Sequence, residues 1–264
     1  MGIKLIATDI DGTLIDQTEK IPDRLVETVQ RCQEKGIYFV LATGRTRELV
    51  ADIVKTLGIA GPYVIANGAC IFRGSECIYS RGFLAEPILG LIKEADAEGL
   101  TVTFSDNYME RAVRETAYVK EHQKMGNRFL QPISLTETDW GRQQFQKIMI
   151  LDEHRTGKIQ KYQNRMREYQ TEYSVTTYSD MAVELGPKGC NKATGLKHLA
   201  GMLQLDMKDI MACGDFTNDL EMIREAGIGV AVANASEALK QEADYVAKRE
   251  YCYGVIEAIE TYCF

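Results

Sequence analysis

No stretch of this 264-residue chain comes near the roughly 20 consecutive apolar residues that a membrane-spanning helix needs. The N-terminus runs straight into a strand pattern with no secretory leader before it, so a cytoplasmic location without membrane attachment is expected. Cysteine pairing is missing as well. The seven cysteines (Cys32, Cys70, Cys77, Cys190, Cys213, Cys252, Cys263) are odd in number, scattered and never arranged as CxxC. They read as free thiols in a reducing compartment, not as a zinc site or a disulfide frame. Positive charge is also in short supply. A net charge of −7 argues against a nucleic-acid partner, whose phosphates would have to be neutralised by basic patches. A small anionic ligand would have to be met by local cations. The remaining composition, 45% apolar and 26% charged, is that of a globular chain able to bury a large core in one or two domains.

What stands out is the stretch Lys4-Leu5-Ile6-Ala7-Thr8-Asp9-Ile10-Asp11-Gly12-Thr13-Leu14. Its aliphatic run reads as a strand buried on both faces, as in a parallel sheet, and such sheets bind ligands at the carboxyl ends of their strands. Asp9 and Asp11 lie at that end. Two crowded carboxylates repel unless a cation lies between them or one holds a proton. Gly12 allows a sharp turn and close backbone approach to a ligand. An EF-hand loop fails, because Gly12 comes too early and the later carboxylates are missing. A strand end followed by an Asp-Gly turn is the plain alternative.

The N-terminal part alternates strand and helix. A helix over Pro22 to Lys35 follows the first strand, then a strand Ile37 to Ala42, a helix from about Thr46 to Leu57, and a strand Tyr63 to Ala66. This pattern implies a parallel sheet with right-handed crossovers. The middle changes rhythm: helix Glu86 to Glu98, strand Leu100 to Ser105, helix Arg111 to Met125, strand Phe145 to Leu151, polar helix Thr156 to Tyr169, and strands Tyr173 to Tyr178 and Met181 to Leu185. Neighbouring strands with brief turns suggest an antiparallel or mixed sheet with helices on one face. The expectation is an inserted domain at 83–185, joined near Gly82 and Gly186 to a core formed by 1–82 and 186–264. The basic segments Arg111 to Lys124 and Lys158 to Arg167 read as solvated helix faces. From Gly186 the alternation returns, with Asn191 as an N-cap, a strand Asp209 to Cys213, a helix Leu220 to Glu225, a strand Ile228 to Ala233, a strand Asp244 to Ala247 and a helix Val255 to Tyr262.

Four constellations fall at core strand ends or at the helix starts behind them. Asp9 with Asp11 is the first. Thr43-Gly44-Arg45 suits a phosphate, or is a Thr N-cap with a glycine turn. Lys192, in the first turn of its helix, faces the positive dipole end, a cost of about 0.3–1 kcal/mol that a bound anion would offset. Asp215 with Asn218 and Asp219 either binds a cation or caps a helix.

In this order and spacing the four resemble the motif set of the haloacid dehalogenase-like phosphohydrolase superfamily: DIDGT at 9–13, ATGR at 42–45, Lys192 within KGCNKATGL, and GDFTND at 214–219. The resemblance spans essentially the whole chain. With the Ala66-Asn67-Gly68-Ala69 turn and the Val230 to Asn234 segment, it points to the Cof-type subgroup with a large C2B-type cap. Phe216-Thr217 departs from it, since relatives usually carry a smaller residue there. The resemblance implies an α/β fold, a Rossmann-like doubly wound parallel sheet core with an inserted α+β cap that sets substrate choice.

It also implies roles. Asp9 would be the nucleophile forming an aspartyl-phosphate. Asp11 would protonate the leaving oxygen and activate water, held protonated at the first step. Mg²⁺ would be bound by the Asp9 carboxylate, the Asp11 backbone carbonyl and Asp215. Ile10, Thr43, Gly44, Lys192 and Asn218 would bind the phosphate, supported from behind by Asp219, Arg45 and Asn234. The three histidines (His122, His154, His198) lie away from all four motifs, so no Ser/His or Cys/His nucleophile pair is apparent. The expected activity is a magnesium-dependent phosphatase acting on a small phosphorylated metabolite, such as a sugar phosphate. A phosphomutase and a non-catalytic phosphate-binding sensor are the alternatives.

Overall fold

The computed structural model describes residues 2–106, 109–124, 131–134 and 136–264, apart from the side chains of residues 122, 131, 137 and 138. The chain divides into two compact units: one runs from the N-terminus to Arg45, then Leu49–Tyr79 and Asn191–Phe264; the other holds Thr46–Glu48 and Ser80–Cys190. The first begins with β1 (Leu5–Thr8), all four residues buried. Helix α1 (Asp23–Glu34) buries Leu25, Thr28, Val29 and Cys32, one stripe at helical spacing. Then come β2 (Tyr38–Leu41), α2 (Arg47–Thr56), β3 (Pro62–Ile65) and a hairpin of β4 (Cys70–Arg73) and β5 (Glu76–Ser80). That hairpin is not among the elements the sequence pattern predicts.

In the second unit the elements are β6 (Phe83–Leu84), α3 (Leu89–Ala97), β7 (Thr101–Ser105), β8 (Glu110–Ala112), α4 (Ala117–Lys124), β9 (Gln131–Pro132), α5 (Glu137–Arg142), β10 (Gln144–Phe145), β11 (Lys147–Leu151), α6 (Ile159–Arg167), β12 (Tyr173–Tyr178) and β13 (Ala182–Pro187). Six of the strands form a mixed sheet in the order β12-β13-β11-β7-β8-β9, antiparallel except for β8 with β9. Val102, Phe104, Ile148, Ile150, Val183 and Leu185 on one face pack against Leu91, Ile92 and Ala95 of α3 and Ile159, Tyr162 and Met166 of α6. Lys161 and Arg165 pair with Glu94 and Glu98, as a solvated face should.

Two expectations need correcting here. Arg111 and Ala112 are strand, not the start of a helix, because Arg111 pairs across to Phe104. The helix begins only at Ala117, and Met125 lies outside the described residues. The polar helix begins at Ile159 instead of Thr156, since Asp152 accepts hydrogen bonds from the Thr156 N–H at 3.0 Å and the Ile159 N–H at 3.4 Å and so fixes a non-helical entry.

The chain returns to the first unit with α7 (Lys192–Met202), β14 (Ile210–Gly214), α8 (Leu220–Glu225), β15 (Ile228–Ala231), α9 (Glu237–Glu242), β16 (Tyr245–Val246) and α10 (Tyr251–Tyr262). Its sheet is wholly parallel, in the order β16-β15-β14-β1-β2, and a bridge from Ala42 to Val64 continues it toward β3. Strand order therefore runs outward in one direction from β1 and in the other from β14. The reversal point between them is where doubly wound sheets open a ligand crevice at their carboxyl ends.

Candidate active site

β1 and β14 end side by side, with Thr8 opposite Cys213 and the Asp9 N–H donating to the Cys213 carbonyl at 3.0 Å. Asp9 and Asp215 are the next residues to emerge. Gly12 sits against Asp215: its φ is +82°, and a Cβ there would lie 2.3 Å from Asp215 Oδ2. No other residue type fits that approach. The loop is tightened by the Ile10 carbonyl, which accepts the Leu14 and Ile15 N–H groups at 2.8 and 3.0 Å. From the far side Asn234 Nδ2 donates to the Gly12 carbonyl at 2.7 Å, while its Oδ1 accepts the Tyr251 N–H at 2.9 Å. Thr13 Oγ1 donates to Asp215 Oδ1 at 2.8 Å.

Lys192 is the first residue of α7 and only 1% exposed. Its Nζ lies 2.6 Å from Asp9 Oδ1 and donates to Asp219 Oδ1 at 2.7 Å. Two carboxylates of the chain itself offset the dipole cost expected for a lysine here. Burial alone would strip the proton from the ammonium, but Asp219 and Asp9 outweigh it and hold the lysine above its ordinary range. The helix is seated by a reciprocal cap, Asn191 Oδ1 accepting the Thr194 N–H and Thr194 Oγ1 accepting the Asn191 N–H. It also runs backbone to backbone against the Ala66–Gly68 turn, where a Cβ on Gly195 would come within 2.6 Å of Gly68 Cα.

Asp219, fully buried, uses its second oxygen to accept the Asp215 and Phe216 N–H groups at 3.1 and 3.2 Å. It therefore closes the turn after β14 and braces Lys192 at once. Asp219 thus takes the capping part open to the Asp215, Asn218 and Asp219 cluster. Asn218 instead lies half-buried in the short turn Thr217–Asp219.

Thr43 is fully buried just beyond β2, its hydroxyl accepting the Arg45 N–H at 3.1 Å, with Gly44 half-buried between them. The Arg45 guanidinium forks the Asp11 carboxylate, 2.9 Å from Nε and 2.7 Å from one terminal nitrogen, and that nitrogen also donates to Glu19 at 2.7 Å. The fork is the bidentate geometry in which a guanidinium meets a carboxyl group. Glu19 was missed in the sequence. It is a lone acid in a loop, and no spacing links it to Arg45.

His198 stacks on Tyr79 with ring centroids 4.6 Å apart, and His154 is exposed in the second unit. The side chain of His122 lies outside the described residues.

The donor set fits a hard divalent cation. One carboxylate oxygen from each of Asp9, Asp215 and Asp219 falls within 4.8 Å of the others. Asp219 has both oxygens committed, whereas Asp9 and Asp215 each keep one beyond their contacts with Lys192 and Thr13. Burial pushes Asp9 up to about 8 even though Lys192 opposes it, and pushes Asp215 up to about 6 against the Thr13 hydrogen bond. Two carboxylates so reluctant to ionise are short of positive charge, which a cation among oxygen ligands would supply.

The family described as haloacid dehalogenase-like hydrolase matches residues 6–259. The chain is 28% identical to the 5-amino-6-(5-phospho-D-ribitylamino)uracil phosphatase YcsE of Bacillus subtilis, covering 98% of this chain and 95% of that one. It is 29% identical to a phosphoglycolate phosphatase of Methanobrevibacter smithii, covering 99% of each. Among solved structures, a haloacid dehalogenase-like hydrolase from Bacteroides thetaiotaomicron superposes with a TM-score of 0.83 at 28% identity, over 98% of this chain and 99% of that one. With a buried lysine between two aspartates at the head of a doubly wound sheet, and a family match over nearly its whole length, the chain belongs to the haloacid dehalogenase-like hydrolases, in their Cof-type branch.

Proposed function

We propose that this protein is a magnesium-dependent phosphatase that hydrolyses a small phosphorylated metabolite through an aspartyl-phosphate. The observation that carries this reading is the Lys192 ammonium held within 2.6 and 2.7 Å of the Asp9 and Asp219 carboxylates. It keeps a buried Asp9 aimed and partly neutralised, as a carboxylate nucleophile facing an anionic phosphate must be. The Asp9 carboxylate attacks phosphorus, the ester P–O bond breaks, and the departing alkoxide takes a proton from Asp11. Water, giving its proton back to Asp11, then attacks phosphorus, and the bond to Asp9 breaks to release inorganic phosphate. Asp11 has to leave the Arg45 fork to carry that proton. Lys192 and the Thr43 hydroxyl stabilise the equatorial oxygens, with backbone groups of Ile10 and Gly44 and the Asn218 amide beside them. Asp9, the Asp11 carbonyl and Asp215 would hold Mg²⁺, which supplies the charge that lets two anions meet.

The inserted residues 83–185 are assigned the choice of alcohol, and the free state of all seven cysteines fits a reducing cytoplasm. The test is phosphate release from a panel of phosphate monoesters, with and without Mg²⁺, for the wild type and Asp9→Asn. Release that needs both the metal and Asp9 supports the reading. An Asp9→Asn enzyme with full activity, or no release from any ester, overturns it.

A further inference from the structure

Glu19 lies in the exposed loop that follows the Asp9–Thr13 motif, and its backbone is strained. Its φ is +53°, in the left-handed region that a residue with a Cβ rarely adopts. Local hydrogen bonds hold it there. Asp16 Oδ1 accepts the Thr18 N–H at 2.8 Å and the Thr18 hydroxyl at 2.6 Å, and the Asp16 carbonyl accepts the Glu19 N–H at 3.1 Å. The residue just before Asp16 is tied to the nucleophile loop, since the Gly12 N–H donates to the Ile15 carbonyl at 3.0 Å. Strain held in place by its surroundings in this way is a mark of functional loops. Here it delivers one carboxylate to Arg45, 2.7 Å from a terminal nitrogen.

The Arg45 side chain is 18% exposed, whereas those of Asp11 and Glu19 are 56% and 65% exposed. A mostly buried guanidinium therefore stands between two carboxylates that are open to solvent. Asp11 takes Nε and one terminal nitrogen, Glu19 shares that nitrogen, and the Leu49 carbonyl accepts from the other at 3.4 Å. When Asp11 moves away, Arg45 keeps Glu19 and the Leu49 carbonyl. Without Glu19, that carbonyl would be the side chain's one remaining partner among the described residues. A mostly buried cation would then be left without a countercharge, which is costly.

We propose that Glu19 is a positioning residue for the acid–base step, acting through Arg45 to let Asp11 out of the fork. The inference rests on the phosphatase reading above, with Asp11 as its proton carrier. Two effects have the same sign. While Asp11 is forked, Glu19 draws on the same guanidinium nitrogen and weakens the hold on Asp11. Once Asp11 has left, Glu19 supplies the countercharge that keeps Arg45 in place for its return. Removing Glu19 therefore makes the departure of Asp11 costlier and slows each step in which Asp11 moves a proton. Asp11 gives its proton to the alcohol oxygen as the P–O bond breaks and takes one from water in the second step. Glu19 exchanges no proton and touches no reacting atom.

The test compares kcat/KM for p-nitrophenyl phosphate with that for the alkyl phosphate hydrolysed fastest in the ester panel, in the wild type, Glu19→Gly and Glu19→Gln. The two esters differ in their need for Asp11, because p-nitrophenolate leaves without a proton and an alkoxide does not. Glycine suits a φ of +53°, so Glu19→Gly removes the carboxylate without adding strain. It should lower the ratio of alkyl to aryl ester about two- to fivefold, the scale of one exposed ion pair, through kcat with KM unmoved. Glu19→Gln keeps an acceptor for Arg45 but not the charge, and its ratio should fall between the two. In an Arg45→Ala background Glu19→Gly should leave the ratio unchanged, because the fork it relieves is gone. A merely structural loop residue would lower both esters together. Equal falls for the two esters, an unmoved ratio in Glu19→Gly, or a fall that persists without Arg45 overturns the inference while leaving the phosphatase reading intact. Hydrolysis confined to the aryl ester does the same. Absence of hydrolysis from every ester overturns both.

Discussion

Lys192 Nζ and Asp9 Oδ1 stand 2.6 Å apart, with side chains 1% and 6% exposed. A contact this dry is costly to break on one side only, because the partner left behind is a buried, uncompensated charge. Lys192→Met should therefore destabilise the protein by about 3–5 kcal/mol. It should also abolish phosphate release, because Asp9, already pushed up to about 8 by burial, loses the cation that opposes the shift. Denaturant unfolding checks the first part and a phosphate assay the second. A variant of wild-type stability would mean that the pair is better solvated than its burial indicates.

Gly12→Ala tests the loop without touching any charge. The new Cβ would fall 2.3 Å from Asp215 Oδ2 and the residue would be held at φ +82°, a strain of about 1–3 kcal/mol. The three atoms nearest that Cβ all belong to the Asp215 side chain. The expected result is a modest fall in melting temperature with a much larger fall in phosphate release and a higher Mg²⁺ requirement. Equal losses in stability and activity would show that the loop, not Asp215, absorbs the clash.

The parallel core was legible because β1, β2 and β14 are short aliphatic runs ending in polar residues, and burial on both faces leaves such strands no alternation to confuse. Asp9, Lys192, Asp215 and Asp219 could be named from motif order. Their arrangement could not. Nothing local says that Asp219, not Asn218, closes the turn after β14. Nor does it say that Arg45 spends its guanidinium on Asp11 and Glu19, because those contacts join residues 34 and 26 positions apart. The helix expected from Arg111 failed for the same reason: pairing with β7 overrode the local pattern.

Stability in acid should depend on Asp152, which lies at the entry to α6. Burial would raise this carboxyl, but the Thr156 N–H and hydroxyl and the Ile159 N–H outweigh it and hold it below the usual aspartate range. A depressed carboxyl contributes stability above its unfolded value, near 3.9, and loses it as pH falls through the lower folded value. Asp152→Asn should be less stable than the wild type at pH 7 by about 1 kcal/mol. The gap should close as the pH is taken down toward 3, as read from guanidinium midpoints. A gap that does not change with pH would assign the effect to shape instead of charge.

Asp215 predicts the opposite sign and a role for the metal. Its carboxyl is raised to about 6, burial outweighing the Thr13 hydrogen bond. The folded chain therefore holds that proton more tightly than the unfolded chain, and stability falls as pH rises from about 4 toward 6 and stays lower above it. Without metal, Asp215→Asn should be more stable than the wild type at pH 7.5, by about 1–2 kcal/mol after allowing for partial exposure. It should at the same time lose phosphate release. Added Mg²⁺ should raise the melting temperature of the wild type by binding the folded state and leave the variant nearly unmoved, reversing their order. If Mg²⁺ shifts both proteins equally, Asp215 does not hold the metal. If the variant is the less stable of the two without metal, the carboxylate is held by contacts stronger than the single hydroxyl of Thr13.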